Sequence, residues 1–473
     1  MFRSIILFAS SAILLAAEPH LILRNGRIVT VDSRFSIHSA LAVSGNKITA
    51  VGTDAEILKL RGAQTEMVDL QGKMVLPGLI DSHVHPGAAM TELDHPIPQM
   101  ETIDDVLRYV RSRAQMLGPG KWIEVRQVFI TRLKERRYPT RSELDQAAPE
   151  NPVLFATGPD ASLNSLALKL SGIDKDFKVT DGGSGFAEKD PGTGEPTGIL
   201  RNCTRYVKVQ SSGKTAQEED YYKRTLELFR DYNSVGLTTV ADRSANVASL
   251  ARYQRMLERG DLPVRLAISQ NIETLGPLAE IQERIRAVAR HPLAQPNPRV
   301  QIIGIKTFLD GGMLTGSAYM REPWGVSQIY SITDPNYRGV LFIPKERLLP
   351  IVQTTVESGL QFTAHAVGDG AVHALLEVYE ELSGKLPVRK TRPCITHSNF
   401  MSREAVEKLS QLGVVVDIQP AWLHLDAGTL VAQFGYDRLR YFQPLRTIFE
   451  TGGIAGGGSD HMQKIGSLRS INF

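Results

Sequence analysis

Hydrophobic residues follow one pattern before residue 78 and another after it. From Leu21 to Pro77, short alternating and β-branched runs are separated by glycine and asparagine, as in LILRNGRIVTVD and SALAVSGNKITAVG. Such alternation predicts half-buried strands, and the N-G and G-N pairs predict hairpin turns. We therefore expect a small antiparallel, β-sandwich-like domain over residues 18–78.

Beyond residue 78, apolar strands alternate with amphipathic helices. Segments such as EEDYYKRTLELFRDYNSVG and REAVEKLSQLG repeat apolar residues at helical spacing and stop at glycine. Eight apolar runs qualify as strands, and they begin at Leu76, Leu237, Val264, Val300, Leu360, Pro393, Val414 and Gly452. Eight strands with intervening helices predict an α/β fold, the (β/α)8 TIM barrel, over residues 79–473.

The first two predicted barrel strands are separated by more residues than a helical crossover needs. We therefore expect a large insertion after the first strand, over about residues 90–232. The runs WIEVRQVFI and PVLFAT predict that the insertion has strands of its own.

The first residues, MFRSIILFASSAILLAAEPH, have the layout of a secretory signal peptide. Arg3 precedes an apolar run from Ile5 to Leu15, and the small residues Ala16 and Ala17 follow it. The alternative is an uncleaved anchor, but the apolar run is short for a membrane span. We expect residues 1–17 to be removed and the protein to be exported, periplasmic or secreted, with no remaining membrane span.

Charge and cysteine content narrow the classes of function. The formal net charge is only +3 and the basic residues are scattered, so we expect no nucleic-acid partner. The only cysteines, Cys203 and Cys394, are far apart in sequence, which argues against a disulfide framework or a cysteine-based zinc site. Any metal would be held by His, Asp, Glu or Lys. We expect a small-molecule substrate as the partner and leave homo-oligomerisation open.

The segment LIDSHVHPG ends the first predicted barrel strand with two histidines. Side chains at positions i and i+2 of a strand leave the same face, so His83 and His85 point together. Two adjacent imidazoles suit a metal ion, although His-X-His alone is equally compatible with an ordinary turn.

Further polar residues stand at the ends of later barrel strands, where this fold places its chemistry. His365, His397 and Asp460 follow the fifth, sixth and eighth strands, and Lys306 lies within the apolar fourth strand. A buried lysine is rare unless it is paired or modified. Their shared position predicts a site for a divalent metal, and imidazole and oxygen donors suit zinc, manganese or iron.

With the segments DSHVH, IKTFLDGG, AHAVGD, TH and GSD in this order, the chain from Leu21 onward resembles the amidohydrolase superfamily. Within it, the chain is similar to the amidohydrolase 3 group, which includes N-substituted formamide deformylases.

The resemblance implies a centre of two divalent ions, zinc above all. His83 and His85 would bind the more buried ion, and His365 and His397 the more exposed one. Lys306, carboxylated on its amine, would bridge both. Asp460 would be a ligand of the first ion and would also transfer protons.

Three further residues are weaker candidates for substrate contacts. Asp310, in IKTFLDGG, either shapes the site or belongs to a loop turn. His424, just past the seventh strand, either contacts substrate or is an ordinary loop histidine. Trp122 begins an insertion strand and lines either a pocket or only the insertion's core.

The function expected from this resemblance is hydrolysis of C–N bonds of the amide type, other than peptide bonds, by a metal-activated hydroxide. Hydrolysis of an ester or another carbonyl compound is the chemical alternative. An inactive fragment or an exported binding protein is the alternative from another class. Relatives continue beyond the point that corresponds to Phe473, so we also expect the sequence to be C-terminally truncated.

Overall fold

Residues 18–87, 97–126, 128–212 and 215–461 are described by a computed structural model of the protein. The predicted signal peptide at residues 1–17 lies outside the described residues. The chain divides into two units, one ending at Leu79 and the other beginning at Ile80. No helix of the described part is long and apolar enough to cross a membrane.

The first unit consists of short strands in two small sheets. Its elements are β1 (Leu21–Arg24), β2 (Arg27–Val29), β3 (Ile37–His38), β4 (Ala40–Ser44), β5 (Lys47–Gly52), α1 (Asp54–Ile57), β6 (Glu66–Asp69) and β7 (Met74–Val75). One sheet has the order β5-β4-β1-β6 and the other β3-β2-β7. Ile22, Ala40, Ala42 and Ile57 form the buried core of this unit.

The expectation of a purely antiparallel unit is wrong. β1 pairs with β6, and β2 with β7, in parallel. The G-N turn at Gly45 does connect the antiparallel strands β4 and β5, as predicted. The N-G pair at Asn25 does not form a hairpin, because β1 and β2 belong to different sheets.

The first barrel strand, β8 (Leu79–Val84), is followed by an inserted α/β layer. The inserted elements are α2 (Ile103–Leu117), β9 (Ile123–Val125), α3 (Arg141–Ala147), β10 (Val153–Ala156), β11 (Ala161–Leu163), α4 (Ser165–Ser171), β12 (Phe186–Lys189) and β13 (Pro196–Arg201). Their five strands form one sheet in the order β12-β13-β11-β10-β9. Thr102 starts α2 with a capping box, since its hydroxyl accepts from the Asp105 backbone N–H while the Asp105 carboxylate accepts from the Thr102 backbone N–H.

The rest of the second unit alternates helices and strands. Its elements are α5 (Glu218–Ser234), β14 (Leu237–Ala245), α6 (Val247–Arg259), β15 (Arg265–Asn271), α7 (Leu278–Ala289), β16 (Val300–Phe308), α8 (Lys345–Glu357), β17 (Gln361–Ala366), α9 (Asp369–Ser383), β18 (Cys394–His397), α10 (Arg403–Leu412), β19 (Val415–Ile418), α11 (Pro420–Arg438), α12 (Leu445–Glu450) and β20 (Ile454–Gly457). α10 ends at Gly413, whose φ of 69° is the left-handed conformation that glycine adopts without a steric penalty.

β8 and β14 to β20 form one eight-stranded sheet in sequence order. From β14 onward each strand is parallel to the next. A parallel bridge between Val84 and His461 joins the two ends of the sheet, and the His85 N–H donates to the His461 carbonyl at 3.0 Å. The predicted (β/α)8 barrel is therefore confirmed, and each of its eight strands lies where the apolar runs placed it.

Candidate metal centre

The end of β8 and the turn after β20 bring three candidate ligands together. The Asp460 N–H donates to the His83 carbonyl at 2.8 Å, which holds the turn against the end of β8. Gly458 permits this approach, because a Cβ at that position would lie 2.6 Å from the His83 Cβ. Asp460 has a φ of 53°, a region that few residues other than glycine adopt. Local backbone strain of this kind is common at functional sites.

His83, His85 and Asp460 form a tight group whose potential ligand atoms lie within 4.8 Å of one another. The Nε2 atoms of the two histidines are 3.1 Å apart. Asp460 Oδ1 lies 3.4 Å from Nε2 of His83 and 3.0 Å from Nε2 of His85. Two imidazole nitrogens and one carboxylate oxygen thus converge on one point, as ligands of a divalent metal do.

His397 and His365 extend this group along the carboxyl ends of the neighbouring strands. The His397 ring is 4.9 Å from the His83 ring and 4.5 Å from the His365 ring, centroid to centroid. Lys306 is fully buried in β16, and its ammonium donates to the Thr396 hydroxyl at 3.0 Å. Among the described residues, no carboxylate oxygen lies within 4.0 Å of that ammonium, so its charge has no direct counterion there.

Burial dominates the electrostatics of these groups. It lowers the pKa of His365 to about 3 and the pKa of Lys306 to about 8, and it holds the pKa values of His83 and His397 well below the ordinary histidine value. Burial acts to raise the pKa of Asp460, but His83 and His85 outweigh it, and the pKa lies below its ordinary value. These shifts favour neutral imidazoles at His83, His365 and His397 and an ionised carboxylate at Asp460, the protonation states that bind metals.

The outer contacts of the histidines also fit a metal centre. Nδ1 of His83 lies 3.0 Å from Asp417 Oδ2, and Nδ1 of His397 lies 2.7 Å from Gln419 Oε1. Nε2 of His365 lies 3.3 Å from the Gly311 carbonyl. In each ring one nitrogen faces an acceptor, which leaves the other nitrogen with a free lone pair. Metal-binding histidines are usually held in this way.

The three weaker candidates have different surroundings. Asp310 is buried and accepts backbone N–H bonds from Tyr319, Val367 and Gly368 at 2.8–2.9 Å. Burial raises its pKa to about 8, against the effect of these three donors. Its Oδ1 is 3.7 Å from Nε2 of His365. Through its three backbone hydrogen bonds, Asp310 therefore holds loop segments in place beside that histidine.

Among the described residues, neither His424 nor Trp122 forms a hydrogen bond, ion pair or ring contact with the six residues of the predicted metal centre. His424 is exposed and lies on α11, so the alternative of an ordinary loop histidine is wrong, and a contact with substrate stays a prediction. The helix starts directly after β19, at Pro420, whose fixed φ suits the first helical turn. Trp122 is buried with Leu154, Leu163 and Leu200 in the core of the insertion. The structure therefore supports the core alternative for Trp122.

Sequence reasoning missed the residues behind the histidines. Asp417 and Gln419 are buried, and the Arg243 guanidinium Nε lies 3.4 Å from Asp417 Oδ2. Asp81 is also buried and accepts from the His83 N–H, the Ser459 N–H and the Ser459 hydroxyl. The sequence did contain a signal for Asp417 and Gln419, because VVVDIQP places these two polar side chains in an otherwise apolar strand run.

A TIM barrel with histidines and a carboxylate at the carboxyl ends of its strands defines a class of metal-dependent hydrolases. The sequence profile of the amidohydrolase family matches residues 66–472. The chain belongs to the amidohydrolase family.

Curated relatives match most of the chain. An N-substituted formamide deformylase of Arthrobacter pascens is 27% identical over 457 residues, which are 93% of this chain and 80% of that protein. The putative amidohydrolase YtcJ of Bacillus subtilis (strain 168) is 24% identical over 92% of this chain and 79% of that protein. A solved structure of an uncharacterized metal-dependent hydrolase from Pyrococcus furiosus superposes with a TM-score of 0.63 at 22% identity, covering 93% of this chain and 85% of that one. This last likeness concerns the fold.

Proposed function

We propose that the protein is a metal-dependent amidohydrolase that cleaves C–N bonds of the amide type in a small-molecule substrate. The observation that carries the proposal is the convergence of His83 Nε2, His85 Nε2 and Asp460 Oδ1, with His365, His397 and Lys306 on the adjoining strands. The family match and the relation to a formamide deformylase support the bond type.

Six residues would hold the metal, which we propose to be two divalent ions, zinc before manganese or iron: His83, His85, Lys306, His365, His397 and Asp460. The bound ions would supply a water that ionises near neutral pH and would polarise the substrate carbonyl. The Asp460 carboxylate would accept the proton of the attacking water and pass it to the leaving nitrogen.

Lys306 would reach its metal-binding form by carboxylation. The ammonium would first lose a proton to solvent. The free amine Nζ would then attack CO2, an N–C bond would form as one C–O π bond of CO2 breaks, and the nitrogen would release a second proton, so the buried cation becomes an anionic oxygen donor. Its lowered pKa favours the free amine that this reaction requires. The change also removes the cost of burying an ammonium without a counterion.

The test is to purify the protein, measure its bound metal, and screen hydrolysis of N-formyl amines, N-acyl amines, cyclic amides and matched esters. His83→Ala and His365→Ala are expected to abolish activity and lower metal content while the barrel stays folded, because both residues lie near the carboxyl ends of barrel strands, where the fold places its chemistry. His373→Ala is the matched control, since His373 lies on α9 and contacts Ser402 and Arg321.

The outcomes separate the alternatives. Faster turnover of esters than of amides would identify a carbonyl hydrolase of another bond type. A folded, metal-free protein that binds ligands without turnover would indicate the binding protein. Near-normal turnover and metal content in either histidine variant would refute the assignment of the centre.

A further inference from the structure

Strand β19 supplies none of the proposed metal ligands, yet its end contacts two of the histidines. Asp417 and Gln419 lie two residues apart, so their side chains leave the same face of the chain. Both are buried, with relative exposures of 1% and 0%. Asp417 reaches His83 and Gln419 reaches His397.

The contact with Asp417 determines which nitrogen of His83 carries the proton. Asp417 Oδ2 lies 3.0 Å from His83 Nδ1, although the approach is too bent for a well-aligned hydrogen bond. Nδ1 also lies 3.5 Å from the Gln419 Nε2 donor, but the carboxylate oxygen is nearer and would repel a bare nitrogen, so we place the proton on Nδ1. Nε2 then has the free lone pair, and Nε2 is the atom that faces His85 and Asp460.

The same carboxylate fixes the orientation of the Gln419 amide. Asp417 Oδ1 accepts from Gln419 Nε2 at 3.1 Å and from the Ser82 hydroxyl at 3.0 Å. With its NH2 group directed at Asp417, Gln419 presents its Oε1 to Nδ1 of His397 at 2.7 Å. An amide oxygen can only accept, so His397 also carries its proton on Nδ1.

We propose that Asp417 is a positioning residue that sets the tautomers of both His83 and His397, the first directly and the second through Gln419. One carboxylate in β19 thereby keeps Nε2 unprotonated in one proposed ligand of each ion, His83 for the first and His397 for the second. Arg243 holds it in place, with its Nε 3.4 Å from Asp417 Oδ2. The inference rests on the proposed metal centre.

Asp417→Asn tests the proposal because an amide keeps the shape but replaces one acceptor by a donor. Its NH2 group is expected at the Oδ1 position, since the positive charge of Arg243, whose Nε lies 3.4 Å from the Oδ2 position, favours an oxygen there. There it would face the NH2 group of Gln419 and turn that amide around. His397 would then face an NH2 group instead of an acceptor and would move its proton to Nε2. The change would reach His397 through Gln419, because no hydrogen bond or ion pair joins His397 directly to Asp417 among the described residues.

The primary measurement is ¹⁵N NMR of metal-free protein labelled on histidine, which reports the protonated nitrogen of each ring without metal or turnover. We expect Nδ1–H for both histidines in the wild type and Nε2–H for His397 in Asp417→Asn. Gln419→Met removes the acceptor of His397, so the proton of that ring should no longer be fixed on Nδ1, while the tautomer of His83 stays unchanged. In the double variant with Asp417→Asn, the tautomer of His397 should be the same as in Gln419→Met alone. Zinc affinity, measured by chelator competition, is expected to fall about 10- to 100-fold in Asp417→Asn.

Asp242→Asn is the matched control, because this buried carboxylate of β14 accepts from Tyr253 and Ser244 and, among the described residues, forms no hydrogen bond or ion pair with a histidine. It should leave the tautomers of His83 and His397 as in the wild type. Unchanged tautomers in folded Asp417→Asn would overturn the proposal, as would an Nε2–H form of either ring in the wild type. Should Asp417→Asn fail to fold, an unchanged His397 in Gln419→Met would overturn it equally. Altered tautomers in a protein without hydrolase activity would refute the proposed function alone.

Discussion

Asp426 connects helix α11 to the insertion, and we expect its charge to control the stability of that helix. The side chain is fully buried. Its Oδ1 accepts from the Thr131 hydroxyl at 2.8 Å and its Oδ2 from the Arg132 guanidinium at 3.1 Å. One turn earlier on α11, Trp422 stacks on the His397 ring at 5.2 Å with an interplanar angle of 10°. Asp426 thus anchors the helix that covers a proposed metal ligand.

The substitution Asp426→Asn isolates the ionic part of this connection. The amide keeps the volume and an oxygen for Thr131, but it loses the ion pair with Arg132. A hydrogen bond to a charged group contributes about 1.5–3 kcal/mol. The Arg132 side chain is 25% exposed and partly hydrated, so a loss near the lower end, about 1.5–2 kcal/mol, is expected. That loss corresponds to a factor of roughly 10 to 30 in an opening equilibrium.

Hydrogen exchange of α11 peptides, followed by mass spectrometry, measures this local opening without requiring two-state unfolding. In Asp426→Asn the slow amides of α11 should exchange roughly 10 to 30 times faster than in the wild type, by the factor derived above. Asp437→Asn is the control, because Asp437 is an exposed carboxylate beyond the break at Gly435, whose φ of 71° and ψ of 171° are not helical. Equal exchange rates in the two variants would refute the role assigned to the Asp426 ion pair.

Three further predictions concern the site and the insertion. Lys306→Ala should lose bound metal, and short carboxylic acids should restore part of the activity; electron density of the metal-loaded protein with an unmodified amine would contradict the carboxylation. Asp460→Asn should keep most of its metal, measured by elemental analysis, and lose turnover by about 10²- to 10⁴-fold, the usual contribution of acid–base catalysis. An undiminished rate would remove Asp460 from proton transfer. Hydrogen bonds from Arg137 lower the pKa of Glu143 from 4.5 to about 2. Because this folded-state pKa is depressed, the stabilisation is complete above about pH 4.5 and is lost as the pH falls toward 2. The difference in unfolding temperature between wild type and Glu143→Gln should therefore shrink over that range, and a difference independent of pH would contradict the assignment.

The sequence by itself determined the barrel and the positions of its candidate ligands. Apolar runs of strand length are a local property, and they located all eight barrel strands. Parallel strands direct their carboxyl ends to one face, so polar residues at those ends had to lie near one another. His83, His85 and Asp460 were brought together by this rule alone.

Only the tertiary structure decided how chain segments far apart in sequence pair and which polar groups face inward. The strands flanking Asn25 look like a hairpin locally, but each pairs with a more distant strand instead. His424 lies on a helix because the chain turns directly from β19 into α11. The polar residues of VVVDIQP could have faced solvent. They face His397 because β19 pairs with β18, and they face His83 because closure of the barrel brings the end of β8 to the segment after β20. A buried polar group there needs a partner.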